Sequence, residues 1–158
     1  MNLDIVKTMF TDTLLAWLHH LCLLGMAACL AAQAASLGGP WGQARLRRLA
    51  RIDAGYGLLA MGILAVGAAR VAFGAKPAAF YLDNPVFWAK IAVFLLVGAL
   101  SAGPTRAFMR WRRQARQQPD YQPPAAELAT VRRLVRWQAA GWVALPGLAA
   151  AMARGIGS

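Results

Sequence analysis

The composition of this 158-residue chain excludes an ordinary soluble domain, because 59% of its residues are hydrophobic and only 15% are charged. Its 17 lysines and arginines outnumber its 6 acidic residues, which gives a formal net charge of +11. Cys22 and Cys29 lie on one predicted helix at a separation of about 10 Å, too far for an intrachain disulfide, so they give no indication of a disulfide-stapled secreted fold.

Four apolar runs follow one another along the chain, each close to the roughly 20 residues that a helix needs to cross a bilayer. They are rich in alanine, leucine and glycine and cover about residues 13–36, 52–73, 85–109 and 134–153. Helices are expected, because lipid requires a spanning segment to close its own backbone hydrogen bonds. The sequence therefore predicts an all-α fold, an integral membrane four-helix transmembrane bundle in which residues 1–158 form a single domain.

The first run contains two adjacent histidines, His19 and His20, at a depth of roughly 10 Å. Neighbouring residues on a helix point about 100° apart, so the two imidazoles are expected to face different partners. Either imidazole suits an interhelical hydrogen bond or the ligation of a metal. His19 also shares a face with Cys22, Met26 and Cys29, a set of donors that Cu(I) favours. Although the run ends in AAQAAS, it is too long for a typical signal-peptide core, and we expect a retained span.

Several arginines lie in the connection between the first and second spans, and more lie in the connection between the third and fourth spans. Because positive residues in short loops stay in the cytoplasm, both connections are predicted to be cytoplasmic and both termini periplasmic. Trp41, Trp111 and Trp137 lie near these arginines and are interpreted as interfacial anchors. Anionic lipid headgroups, and not nucleic acid, are therefore the expected partners of the basic residues.

The second and fourth spans bring further charged or polar side chains into the bilayer. Asp53 opens the second span, where the helix dipole favours a negative charge. Tyr56 shares a helix face with Arg70, which lies near the outer end of that span, although a tyrosine at this position also suits an interfacial anchor. The fourth span ends on the outer side at Arg154. The outer half is thus expected to hold basic groups from several helices.

The third span begins in the stretch YLDNPVFWAK, where Asn84 or Asp83 is expected to cap the helix and Pro85 to occupy its first turn. Lys90 then lies roughly 8 Å inside the span. An ammonium group at this depth either lifts itself to the headgroups or faces the interior of the bundle. The second of these alternatives makes Lys90 a candidate catalytic residue.

Two cofactors match these side chains. A neutral imidazole from His19 or His20 can ligate the iron of haem b, and anionic propionates can pair with basic side chains in the outer half. The candidates for that pairing, and for holding the cofactor generally, are Arg70, Lys76, Lys90, Arg154 and Tyr56. Copper, bound by His19 or His20 together with sulfur ligands, is the alternative.

Several stretches together resemble a bacterial family of four-helix inner-membrane proteins that is catalogued only as a domain of unknown function. They are LHH, DAGYG, GAARVAFGAK, YLDNPVFWAK, SAGPTRAFMRW and MARGIG. More distantly, the plan is similar to the HemJ-type protoporphyrinogen oxidases and the CopD-like copper-resistance membrane proteins. The HemJ resemblance implies a haem b site in which His19 or His20 ligates iron and Lys90 is needed for activity.

The sequence thus predicts a haem b-binding oxidoreductase or electron-transfer protein of the bacterial inner membrane, with a quinone or a small anionic substrate as its partner. A copper-handling membrane protein that uses His19, Cys22 and Met26 is one alternative. A non-enzymatic accessory subunit of a larger membrane complex is another. The Ala/Gly-rich helix faces also suit a homodimer.

Overall fold

The computed structural model describes residues 3–157, with side chains from residue 6 onward. These residues contain five helices and no strand. The helices are α1 (Leu3–Ser36), α2 (Gln43–Phe73), α3 (Ala78–Leu82), α4 (Pro85–Gln117) and α5 (Ala125–Ala153). The prediction of an all-α protein is confirmed.

Three helices in the described part of the chain are long and apolar enough to cross a bilayer: Val6–Ser36 within α1, and the whole of α2 and α4. In their most apolar stretches only 11%, 11% and 6% of the residues are buried inside the molecule. Most of this apolar surface therefore needs an apolar environment outside the chain, which a bilayer supplies. The fourth predicted span, residues 134–153, is helical within α5, but Arg136, Gln138 and Pro146 interrupt its apolar run and α5 is not among the three.

The helices are longer than the apolar runs predicted. Helix α2 begins at Gln43 instead of near residue 52, α4 ends at Gln117 instead of near 109, and α5 begins at Ala125 instead of near 134. The length of an apolar run reflects the thickness of the hydrocarbon layer and not the length of the whole helix. Arginine, glutamine and alanine favour helix in water as well, so a helix can extend beyond its apolar run. The helices therefore continue beyond the predicted hydrocarbon boundaries. The short helix α3 was not predicted.

The four long helices form a ring in which every helix has two neighbours. Helix α1 packs against α2 and α4 packs against α5 as antiparallel hairpins, while α2 contacts α4 and α1 contacts α5. The connections 37–42 and 118–124 lie at one end, which we call the arginine end. Helix α3, the start of α1 and the end of α5 lie at the opposite end, which we call the α3 end.

Glycines set the close approach within each hairpin. A Cβ placed on Gly25 of α1 would lie 2.8 Å from the Leu59 Cδ1 atom of α2. A Cβ on Gly141 of α5 would lie 2.6 Å from the Val97 Cγ2 atom of α4. Because lipid gives no hydrophobic drive for helices to associate, close backbone approach of this kind is what holds membrane helices together.

The best-packed part of the core lies in the half of the bundle nearer the arginine end. Trp111 of α4 is fully buried, and its ring packs edge-to-face against Phe108 and Trp41 at centroid distances of 5.7 and 5.9 Å. Its indole N–H donates a 2.7 Å hydrogen bond to Glu127 of α5. The interpretation of Trp111 as an interfacial anchor was wrong, because α4 extends past the predicted span and carries this ring into the bundle. Trp137, which received the same interpretation, is 62% exposed.

At the α3 end, the N-cap of α4 also links this helix to the C-terminal segment. Asn84 is the N-cap residue, its side-chain oxygen accepts a 2.8 Å hydrogen bond from the Val86 N–H, and Pro85 occupies the first turn. This confirms the predicted cap. The Asn84 amide also donates to the carbonyl of Ile156 at 3.3 Å, which ties the start of α4 to the segment after α5.

Glu127 joins α4 and α5 just outside the predicted fourth span. Its carboxylate forms a 2.8 Å salt bridge with Arg110 and accepts the Trp111 hydrogen bond. These two donors stabilise the ionised form, so the pKa of Glu127 lies below its ordinary value. A carboxyl whose pKa is lower in the folded state contributes stability above its unfolded pKa, and that stability is lost as pH falls through the folded pKa.

We expect the stability of the protein in detergent to fall as the pH drops below about 4.3, the ordinary pKa of a glutamate in an unfolded chain. In the variant E127Q this part of the pH dependence should be absent, because glutamine does not titrate. Unfolding curves at pH 6 and at pH 4 for the wild type, E127Q and the loop variant D120N provide the measurement and its control. An equal loss of stability in the wild type and E127Q would contradict the expectation.

Candidate functional site

Three basic side chains from three different helices lie in the α3 half of the bundle: His19 of α1, Arg70 of α2 and Lys90 of α4. We call them the His19 cluster. Both Arg70 and Lys90 lie close enough to His19 to interact with it electrostatically, and Lys90 interacts with Arg70. All three side chains are half-buried. The structure therefore places these three sequence-predicted site residues within electrostatic range of one another.

The antiparallel register of α1 and α2 produces this arrangement. A Cβ placed on Gly67 would lie 3.6 Å from the His19 Cε1 atom. The imidazole therefore packs against the backbone of α2 at a glycine. Arg70 follows Gly67 by three positions and therefore lies on the same face of α2, one turn nearer the α3 end. A Cβ at position 67 would be in ordinary van der Waals contact with the ring, so the His19 imidazole packs directly against α2.

Two nitrogen atoms of the cluster are buried without a hydrogen-bond partner among the described residues: His19 Nδ1 and Arg70 Nε. Buried polar atoms in native proteins nearly always have a partner, so each such atom needs an explanation. No described carboxylate forms an ion pair with any member of the cluster. The site is thus a concentration of positive charge and free hydrogen-bonding capacity, which favours an anionic ligand.

His20 turns away from the cluster. Its ring is exposed, and its Nδ1 atom lies 2.6 Å from the carbonyl oxygen of Ala16, one turn earlier on the same helix. A carbonyl accepts only, so Nδ1 is the donor in this contact. The two histidine rings are 6.3 Å apart and nearly perpendicular. Only His19 therefore faces the interior.

Three other sequence-predicted site residues lie outside the cluster. Lys76 is exposed in the connection between α2 and α3, with its Nζ 3.7 Å from the centroid of the Phe80 ring. Arg154 is exposed beyond the end of α5. Tyr56 is buried on α2, but it precedes Gly67 by roughly 16 Å along the helix. No described contact joins any of the three to the His19 cluster.

A second polar group lies nearer the arginine end, and the sequence interpretation missed it. The Asp53 Oδ1 atom accepts hydrogen bonds from Gln33 Nε2 at 3.3 Å and from Thr105 Oγ1 at 3.1 Å, which joins α1, α2 and α4. The interpretation of Asp53 as a residue at the helix start was wrong, because α2 begins ten positions earlier, at Gln43. The only sequence signal was a carboxylate inside an apolar run.

The sulfur side chains of α1 pack between the helices. Cys22 Sγ would lie 3.3 Å and Cys29 Sγ 3.8 Å from Cβ atoms placed on two glycines of α2, while Met26 is buried in the core. Among the residues that the structure describes, no group of three or more His, Cys, Asp or Glu side chains is placed to hold a metal ion. These contacts account for both cysteines through helix packing.

Comparison with known proteins places nearly the whole chain in a described family. The model of a family described as "Predicted membrane protein (DUF2214)" matches residues 11–157. No curated protein matches the chain, and no solved structure matches it. The expectation of a membrane-protein family of unknown function is therefore confirmed.

Proposed function

From the premise that the chain belongs to the DUF2214 family of predicted membrane proteins, we propose that it binds haem b in the α3 half of the bundle and serves electron transfer or oxidation at that site. In this proposal the His19 imidazole would ligate the iron, and Arg70 and Lys90 would hold propionates or the carboxylates of a substrate. When bound, haem supplies one-electron chemistry that no side chain of the cluster has. A quinone or a small anionic molecule is the proposed reaction partner.

The observation that carries the proposal is the unpartnered Nδ1 atom of His19, buried beside Arg70 and Lys90. Iron takes a neutral imidazole through a nitrogen that has no other partner. Propionates take charge-assisted hydrogen bonds from guanidinium and ammonium groups. The donor set of the cluster therefore fits haem. His19 would supply an imidazole for the iron, and Arg70 and Lys90 would supply two cations for the propionates.

The membrane arrangement completes the proposal. We propose that α5 is the fourth span, because it packs antiparallel to α4 in the closed ring. The positive-inside rule then places the arginine end in the cytoplasm of a bacterial inner membrane. Both termini and the His19 cluster lie on the periplasmic side. A site in this half exchanges electrons with a quinone in the bilayer or with a substrate from the periplasm.

The direct test is an absorption spectrum of the full chain, expressed with a supply of haem precursor and purified in mild detergent. We expect a Soret band and about one haem b for each chain, because one imidazole of each chain, that of His19, lies in the cluster. Folded, helical protein without a Soret band would overturn the proposal. Copper in such a haem-free sample would favour the copper-handling alternative, and a stoichiometric co-purifying protein would favour the accessory-subunit alternative.

A further inference from the structure

At the arginine end, a groove of about 450 Å³ runs between α1 and α5, the most loosely packed pair of neighbours in the ring. Its volume falls within the roughly 300–1,000 Å³ that ligand sites usually occupy. Leu37 and Val135, both buried, line it from the bundle interior, while the small residues Ala34 and Ala129 flank it. The groove is therefore apolar inside and kept open by the absence of large side chains.

Two arginines of α5 border this groove. Arg132 and Arg136 are exposed, both line it, and they stand four positions apart on the same helix face, at a spacing of roughly 6 Å. Arg132 donates through Nη2 and Nε to the carbonyl of Leu37 at 2.6 and 3.3 Å, which fixes its guanidinium at the groove. A guanidinium held in this way is pre-organised to bind a phosphate oxygen with its remaining N–H groups.

The combination of an apolar interior with a cationic border is the complement of an amphipathic anion. Trp137, beside Arg136, is 62% exposed, as expected of a ring at the level of lipid headgroups. We propose that this groove is a specific site for one anionic phospholipid, with the phosphate on Arg132 and Arg136 and an acyl chain along the apolar interior. This site is separate from the His19 cluster and does not depend on haem.

The probe is phosphatidylglycerol, titrated into the full chain in mild detergent and followed by native mass spectrometry, with phosphatidylcholine as the neutral comparison. We expect one phosphatidylglycerol molecule to bind each chain in preference to phosphatidylcholine. R136Q should weaken this binding about five-fold, the equivalent of about 1 kcal/mol for one basic residue near a membrane surface. Equal affinity for the two lipids would overturn the proposal.

The matched control is R133Q, which removes the same charge from an exposed neighbouring position that does not line the groove. Phosphatidylglycerol binding to R133Q should equal that of the wild type. If R133Q and R136Q weaken binding equally, the attraction is a diffuse property of the basic surface and the groove is not a site.

A second variant tests the groove without changing charge. A129L places a larger apolar side chain in the groove, at an exposed position where leucine is a good helix former, so the fold should persist. We expect A129L to lower phosphatidylglycerol binding, and unchanged binding would contradict the seating of an acyl chain there. Glycerol phosphate, added as a competitor, should not displace the lipid at comparable concentration; displacement would assign the site to free phosphate.

Discussion

Haem content is expected to fall at least about ten-fold when His19 is replaced by alanine, and to remain unchanged when His20 is replaced by alanine. Loss of a mere outer-shell partner of a metal ligand typically costs about 10–100-fold in affinity, so loss of the ligand itself should cost at least as much. The two substitutions remove the same side chain from adjacent positions of one helix. They differ in that His19 faces Arg70 and Lys90 while His20 is exposed.

The measurement is the Soret absorbance per chain of both variants, purified with the same haem supply. Imidazole added to H19A should restore part of the absorbance if His19 acts as a ligand, whereas a purely structural role of this residue would give no such rescue. Circular dichroism of each variant shows that the helices persist. Equal haem content in H19A and H20A, whether both high or both low, would contradict the assignment of His19.

The largest effect on stability is expected from W111A. Removing a fully buried tryptophan costs about 3–5 kcal/mol, because the transfer free energy of the ring is lost and a cavity remains. W111F retains an aromatic ring but loses the hydrogen bond to Glu127, and hydrogen bonds to charged groups are worth about 1.5–3 kcal/mol. W111F is therefore expected to lie between W111A and the wild type.

The matched control for this prediction is W137A. Trp137 is the same residue type, on α5 near the same end of the bundle, but its ring is exposed. Substitutions at such positions usually change stability by no more than about 0.5 kcal/mol. Reversible unfolding of the three variants in mixed detergent micelles measures the differences. Similar free energies of unfolding for W111A and W137A would show that the core at the arginine end is not as tightly packed as the structure indicates.

The sequence alone determined the features that depend on the bilayer and on local backbone chemistry. Long apolar runs have to form helices in lipid, so the helical fold and the membrane-spanning character followed directly. The Asn84 cap followed from the Asn-Pro pair, because a side-chain acceptor and a residue without an N–H suit the first turn of a helix. The divergence of His19 and His20 followed from the rotation of about 100° between neighbouring residues of any α-helix.

Only the tertiary structure decided which face of each helix points into the bundle. In water, an apolar stripe marks the face that a helix buries, but lipid is as apolar as the core and the helices here are apolar nearly all round. The same pattern was therefore compatible with His19 or His20 facing inward, and with Trp111 or Trp137 packed in the core. The close contacts at Gly25 and Gly141 mark the rotation and register of the two hairpins, because helices approach most closely where side chains leave room. From that register come the His19 cluster and the separation of Tyr56 from it.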